Sequence, residues 1–347
     1  MLRLPGMLVA DAFLKRHWQK TPLFMPRAIE PMRPSISRNE LAWLATLDDV
    51  ESRIVFTERG KRGTRYRAES GPFDTDYLAA LPGRDWSLLV HDAEKHLPAL
   101  RKLFQQVPFI PDWRIDDLMI SFAAPGGGVG PHKDNYDVFL CQGIGEREWR
   151  FTADAVQDDP TASDDLQLLK AFEHGDNRLA RKGDVLYLPP GVAHWGTARR
   201  ACMTYSIGMR APAFYADPDL QLGEVAPGYI SPAALERAGN RSEKLGRHVT
   251  ELKQWLQPQA PGSEEIAAIA SEAGTRSLRL HGMTRIAYDD KNLYVNGAQR
   301  AMPPADREAV ARLCAQRRLD RRTAGQLDRS CLSWLLAQGA FAQFDPD

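Results

Sequence analysis

Cysteine is scarce. The four present (Cys141, Cys202, Cys314 and Cys331, in 347 residues) form no CxxC pair, so no disulfide framework is expected and a reducing cytoplasm fits best. No apolar run approaches the roughly 20 residues of a membrane span. The opening MLRLPGMLVADAFLKRHWQK has neither the long apolar core nor the small-residue cleavage site of a signal peptide. Charge of one sign is missing too: 45 Lys and Arg balance 45 Asp and Glu, and no global field draws the chain to nucleic acid or membrane. Internal repeats and low-complexity tracts are absent. What is there is an ordinary globular composition, 43% hydrophobic and 26% charged, in a length that suits two or three domains.

The chain divides unevenly. Helical periodicity around DAFLKRHWQK leads into a proline-rich stretch. Ser37 to Leu47 then reads as a helix, with Ser37 as N-cap and Glu40 at the capping-box spacing. A helix is also predicted over DAEKHLPALRKLFQQV. Short segments follow (DDLMISFAAP, YDVFLCQG, EREWRFT, GDVLYLPP, CMTYSIGM), punctuated by Gly and Pro. Such alternation argues for a β-sandwich or barrel. Beyond Arg210 the pattern becomes helical over SPAALERAGNRSEKLGRHVTELKQWLQ, and QPQAPGSEE reads as a hinge. From about Arg276, short strands precede two helices (PADREAVARLCAQRR and TAGQLDRSCLSWLLAQ), the size and order of a winged-helix-like module. The expected boundaries are 1–212, 213–275 and 276–347.

The stretch GGGVGPHKDNYDVF, Gly126 to Phe139, carries the chemistry. Residues two apart on a strand share a face, so His132 and Asp134 present an imidazole and a carboxylate together. A third ligand is expected at His194, where an apolar strand ends in Pro189-Pro190-Gly191. HxD followed by a distant His on a β scaffold is the facial-triad pattern, typical of non-haem iron(II) oxygenases, although zinc, manganese or nickel suit the same donors. The glycines allow close approach of a ligand or another backbone. His17, His91, His96, His174, His248 and His281 lack such a partner and read as surface or core residues. In EREWRFT, Arg147, Trp149 and Phe151 share the inward face. An inward arginine needs an anion: the carboxylate of a dicarboxylate cosubstrate, or an inward Asp in a structural salt bridge.

These stretches, with HWQKTPLF and MTYSIGMRAP, resemble the JmjC-type, cupin-barrel 2-oxoglutarate oxygenases, and among them the bacterial ribosomal oxygenases that hydroxylate an arginine of large-subunit ribosomal protein sixteen. The match is dense from Asp112 to Pro212. The resemblance implies an α+β chain: a double-stranded β-helix (a cupin/JmjC jelly-roll barrel), a helical dimerisation region and a C-terminal winged helix. It implies iron(II) on His132, Asp134 and His194, with 2-oxoglutarate and molecular oxygen as cosubstrates. It puts Arg147 on the far carboxylate of 2-oxoglutarate and Ser121 beside it, with Thr204 and Ser206 as further candidates. An arginine substrate needs carboxylates and aromatics, and Asp116, Asp117, Tyr136 and Asp137 lie next to the core motif.

The implied partners are a large-subunit ribosomal protein as substrate and a second copy of the chain, with no membrane. The main competing reading is a cupin-type sensor with a C-terminal DNA-binding module. The last 72 residues hold 12 Lys and Arg against 8 Asp and Glu, a net +4, with Arg317, Arg318, Arg321 and Arg322 close together. That charge is modest for such a module, and sequence-specific DNA binding is not expected. A metal-dependent hydrolase or isomerase on the same barrel also competes, as does a JmjC demethylase within the same oxygenase chemistry.

Overall fold

The computed structural model describes residues 2–4, 9–29, 33, 35–61, 63–156, 166–170, 172–173, 175–209, 226–239, 242–252, 261–272 and 277–341. His174, Arg210, the boundary at 212/213 and part of the hinge lie outside them. Two units are resolved: Met1–Val107 with Ile115–Ala213, and Pro108–Arg114 with Phe214–Asp347.

The first unit contains strands β1 (Leu23–Met25), β2 (Ser52–Gly60), β3 (Gly63–Ser70), β4 (Trp86–Val90), β5 (Ile115–Ala123), β6 (His132–Lys133), β7 (Val138–Ile144), β8 (Glu146–Ala155), β9 (Asp176–Arg181), β10 (Val185–Leu188), β11 (Val192–Ala198) and β12 (Cys202–Met209). They form an antiparallel eight-stranded sheet ordered β1-β10-β7-β12-β5-β4-β2-β3 and a four-stranded sheet ordered β6-β11-β8-β9. This is the two-sheet arrangement of the expected double-stranded β-helix. Strand β12, paired on both sides with β5 and β7, is buried along its whole length. In β8 the predicted alternation holds: Arg147, Trp149 and Phe151 are buried, while Glu146, Glu148 and Arg150 are half-buried.

Helices α1 (Ala10–Arg16), α2 (Arg38–Leu44), α3 (Thr75–Ala79) and α4 (Ala93–His96) belong to the same unit. The α2 capping box is present: Glu40 N–H donates to Ser37 Oγ (3.2 Å) and Ser37 N–H to the Glu40 carboxylate (2.7 Å). An aromatic cluster of Phe13, Trp18, Phe139 and Tyr187 packs α1 and the turn after it onto β7 and β10. The helix expected over 92–107 is interrupted. It stops at His96, Leu97 leaves the helical region (φ −120°, ψ 82°), and Pro98–Gln106 continues as a 3-10 helix. The cause is the proline, whose ring disfavours helical geometry in the residue before it.

The second unit contains α5 (Pro232–Ala238), α6 (Ser242–Thr250), α7 (Ser263–Glu272), β13 (Leu278–Arg279), β14 (Ile286–Tyr288), β15 (Asn292–Val295), β16 (Ala298–Ala301), α8 (Arg307–Gln316), β17 (Arg318–Leu319), α9 (Arg321–Ala324) and α10 (Arg329–Ala337). The long helix expected from Ser231 is divided, since α5 ends at Gly239 with positive φ. The last predicted helix is likewise two, α9 and α10, each with its own aspartate N-cap, Asp320 and Asp328. Strands β14, β15 and β16 form a three-stranded sheet and β13 pairs β17. Leu293, Val295, Val310, Leu313, Leu319 and Leu335 form the centre of this unit's own core. Among the described residues no helix is long and apolar enough to cross a membrane.

Candidate metal and cosubstrate site

Two antiparallel neighbours assemble the metal-ligand cluster. In the four-stranded sheet His194 on β11 stands opposite His132 on β6 and, on its other side, opposite Phe151 on β8. Asp134 follows β6, and its backbone carbonyl accepts from Gly191 N–H (2.7 Å), the turn that delivers β11. The two imidazole centroids are 4.2 Å apart, and His194 Nε2 lies 3.7 Å from Asp134 Oδ2. One donor atom from each of the three residues falls within 4.8 Å of the others. Among the described residues no other group of His, Cys, Asp and Glu does this.

Backbone carbonyls orient both rings. His132 Nδ1 is 2.9 Å from the Gly130 carbonyl and His194 Nδ1 is 3.1 Å from that of Val192. A carbonyl only accepts, so each Nδ1 carries the hydrogen and each Nε2 keeps its lone pair for a metal. Burial, and next the neighbouring His132, lower the His194 pKa to about 4. Its ring is therefore neutral at neutral pH, the ligand-competent form. Two imidazoles and a carboxylate suit a borderline divalent transition metal and leave coordination positions free.

The glycine run is explained by backbone proximity. A Cβ on Gly128 would stand 2.4 Å from the Gly196 carbonyl, because the loop lies flush against β11 and bridges to Thr197. Gly130 has φ +87°, and a Cβ there would meet Leu168 at 2.9 Å and the Tyr66 ring at 3.0 Å. Its carbonyl is the one that fixes His132. Gly130→Ala is thus expected to turn that ring and weaken metal binding about 10–100-fold. Calorimetric titration with a divalent metal checks this, and an unchanged affinity would count against the role of the carbonyl.

Arg147 reaches the barrel interior from β8. It is only 6% exposed, yet of its guanidinium only Nη1 has a protein hydrogen bond, to Ser121 Oγ on β5 at 3.3 Å; Nε and Nη2 have none among the described residues. Its charge lies 5.4 Å from the Trp149 ring centroid, and Trp149 in turn lies 6.0 Å from His194. No acidic side chain among the described residues pairs with it, so the structural salt bridge is not formed. A buried guanidinium in this state calls for a carboxylate from outside the protein. Thr204, directly opposite Ser121 in register, donates to Gln142 Oε1 (3.1 Å), and Ser206 is buried two residues further along β12.

Asp117, Met119 and Ser121 share one face of β5, so Asp117 lies on the face that carries Ser121. Its Oδ1 is 2.8 Å from the point where a Gly208 Cβ would be, and the Tyr136 ring is 3.9 Å from that point. Tyr136 is 37% exposed; the protein packed around its hydroxyl, and then Asp134, Asp117 and Asp116, push its pKa up. Asp137 requires a correction. It is fully buried, and its carboxylate accepts from the Tyr187 hydroxyl and from Gln19 Nε2 (3.2 Å). It ties β7 to the N-terminal segment and is not offered to a substrate. Sequence reasoning missed Gln142, which anchors Thr204, and His91, whose Nδ1 is 3.4 Å from Asp117 Oδ2. Neither sits in a local pattern that singles it out.

Known proteins resemble this chain over most of its length. Residues 102–216 match the JmjC domain model, and residues 242–342 match the ROXA-like winged helix model. The chain is 34% identical over 323 residues to the ribosomal protein uL16 3-hydroxylase of Escherichia coli, covering 82% of this chain and 83% of that protein. It is 31% identical over 299 residues to a probable ribosomal oxygenase of Haemophilus influenzae, covering 80% and 72%. The solved structure of the E. coli ribosomal oxygenase YcfD with cobalt and 2-oxoglutarate superposes with a TM-score of 0.69, at 30% identity, covering 98% of this chain and 99% of that one.

Proposed function

Because the chain belongs to the bacterial JmjC-type ribosomal oxygenases, which are 2-oxoglutarate-dependent hydroxylases, we propose that it hydroxylates an arginine side chain of ribosomal protein uL16, with iron(II) held by His132, Asp134 and His194. The observation that carries the reading is Arg147, a buried cation with two nitrogens unsatisfied among the described residues, on the strand paired with the one that carries His194. When bound, iron(II) with molecular oxygen supplies oxidising power, coupling decarboxylation of 2-oxoglutarate to succinate and carbon dioxide with transfer of one oxygen atom to a C–H bond. The chain's own residues bind and orient. The Arg147 guanidinium grips the far carboxylate, and Ser121 Oγ fixes that guanidinium and donates to the same group. Thr204 and Ser206 line the interior wall next to it. Trp149, buried against Arg147, keeps that end dry, which strengthens the charge pairing.

At the other end of the same face, Asp117 receives the substrate guanidinium and Tyr136 flanks it. Asp carboxylate geometry matches a planar guanidinium better than a lysine ammonium, and fixing it holds the chain carbons near the metal. Residues 1–212 carry this chemistry; 213–275 are assigned to pairing two copies of the chain and 276–347 to assembly or substrate docking. A chain of zero net charge suits capture of the free ribosomal protein in the cytoplasm better than binding of ribosomal RNA.

The test is incubation with iron(II), 2-oxoglutarate, oxygen and either free uL16 or whole large subunits. A gain of one oxygen atom on an arginine of the free protein is expected. Oxidation only of another residue type, or of a small molecule alone, would overturn the reading. A sensor would differ at the C-terminal module. The full chain is expected to bind duplex DNA no tighter than about micromolar at physiological salt and without sequence preference. Sub-micromolar sequence-specific binding would favour the sensor.

A further inference from the structure

On the reading that Asp117 receives a cationic side chain, we infer that His91 is the positioning residue for that carboxylate and sets the preference for a guanidinium over a neutral side chain of the same shape. His91 directly follows β4, and its backbone N–H donates to the Glu51 carbonyl (2.9 Å), which fixes where the side chain starts. Its Nδ1 stands 3.4 Å from Asp117 Oδ2, with 27% and 13% of the two side chains exposed. The other oxygen, Oδ1, faces the space above Gly208 that Tyr136 flanks. One oxygen stands against the imidazole while its twin faces Gly208 and the Tyr136 ring.

The orientation has to be imposed. The terminal torsion of an aspartate is broad, so a carboxylate without a directing partner samples several planes, and a planar guanidinium pairs well with few of them. The neighbours do not impose it alone. Glu94, fully buried, accepts from Leu118 N–H (3.0 Å), immediately beside Asp117 on β5. Burial above all, with Asp117 among the lesser causes, raises the Glu94 pKa, and its carboxylate is turned to the Leu118 N–H rather than to Asp117. Asp117 and Asp116 both lie close enough to the Tyr136 hydroxyl to help raise its pKa, so that group stays a neutral phenol. Of these neighbours, the imidazole is the one whose nitrogen stands against Oδ2. Holding the carboxylate before substrate arrives removes an ordering cost from binding, so its effect belongs in KM.

The full-length chain with iron(II) is assayed on an arginine peptide from uL16 and on the same peptide with citrulline, a neutral isostere, at that position. His91→Ala is expected to raise KM for the arginine peptide about tenfold, the size of one lost orienting hydrogen bond. The change in kcat should stay below about threefold, and the arginine-over-citrulline preference should fall with KM. His91→Gln, whose amide can still donate to Oδ2, should restore most of the loss. In an Asp117→Asn background His91→Ala should add little, since the two act as one unit. Unchanged KM and preference in His91→Ala overturn the inference. So does a loss shared equally by the citrulline peptide and by 2-oxoglutarate affinity, which marks a merely structural residue. If Asp117→Asn itself leaves KM unmoved, the substrate assignment fails and the inference with it; if Asp117→Asn acts and His91→Ala does not, only the inference fails.

Discussion

Asp134→Ala yields a folded chain that binds iron(II) at least about a hundredfold more weakly and forms no hydroxylated product, because removing a direct ligand costs more than the 10–100-fold typical of an outer partner. The cluster has three donors within 4.8 Å and no fourth protein ligand among the described residues. Losing one therefore leaves two imidazoles, too few to hold a labile divalent ion. The fold should survive, since Asp134 is partly exposed and carries no buried hydrophobic packing. Metal titration and product mass spectrometry on the same preparation decide it. A variant that hydroxylates at near wild-type rate would show that the metal is held elsewhere.

Arg147→Ala should raise the 2-oxoglutarate requirement roughly thirty- to several-hundred-fold, the equivalent of about 2–4 kcal/mol for a charge-assisted bidentate contact. Iron affinity should change far less, because Arg147 is four residues along β8 from Phe151, the neighbour of His194, and touches no ligand directly. Arg147→Met adds a second readout of opposite sign. The wild-type side chain is a buried cation without a counter-charge among the described residues, so replacing it with an apolar residue of similar length should raise thermal stability while cosubstrate affinity falls. Unchanged apparent affinity for 2-oxoglutarate would rule out the assignment.

Those two sites were readable because each leaves a local mark. A half-buried strand alternates, so Arg147 could be placed inward with Trp149 and Phe151 from the pattern alone. HxD and a His after a stiff Pro-Pro-Gly turn are few-residue patterns with a chemical reason. What was not readable depends on partners far apart in sequence. Asp137 stands beside Tyr136 in sequence, but its side chain is taken up by Gln19 and Tyr187. His91 gains its partner only when β4 is laid against β5. The capping box at Ser37 formed as its spacing predicts, whereas periodicity over 92–107 concealed the break that Pro98 imposes on Leu97.

Strand β5 also acts as a ruler. Ser121, assigned to the cosubstrate end, and Asp117, assigned to the target end, lie on one rigid element four residues apart, about 13 Å at strand rise. Pairing with β12 along the whole interval, and with β4 from Ile120 onward, keeps it from stretching. In this reading, which carbon is oxidised is a matter of length: it is the atom standing a fixed distance from the gripped guanidinium. A side chain one methylene longer would present the next carbon along to the oxidant, and the position of hydroxylation would move by one with no change in the protein.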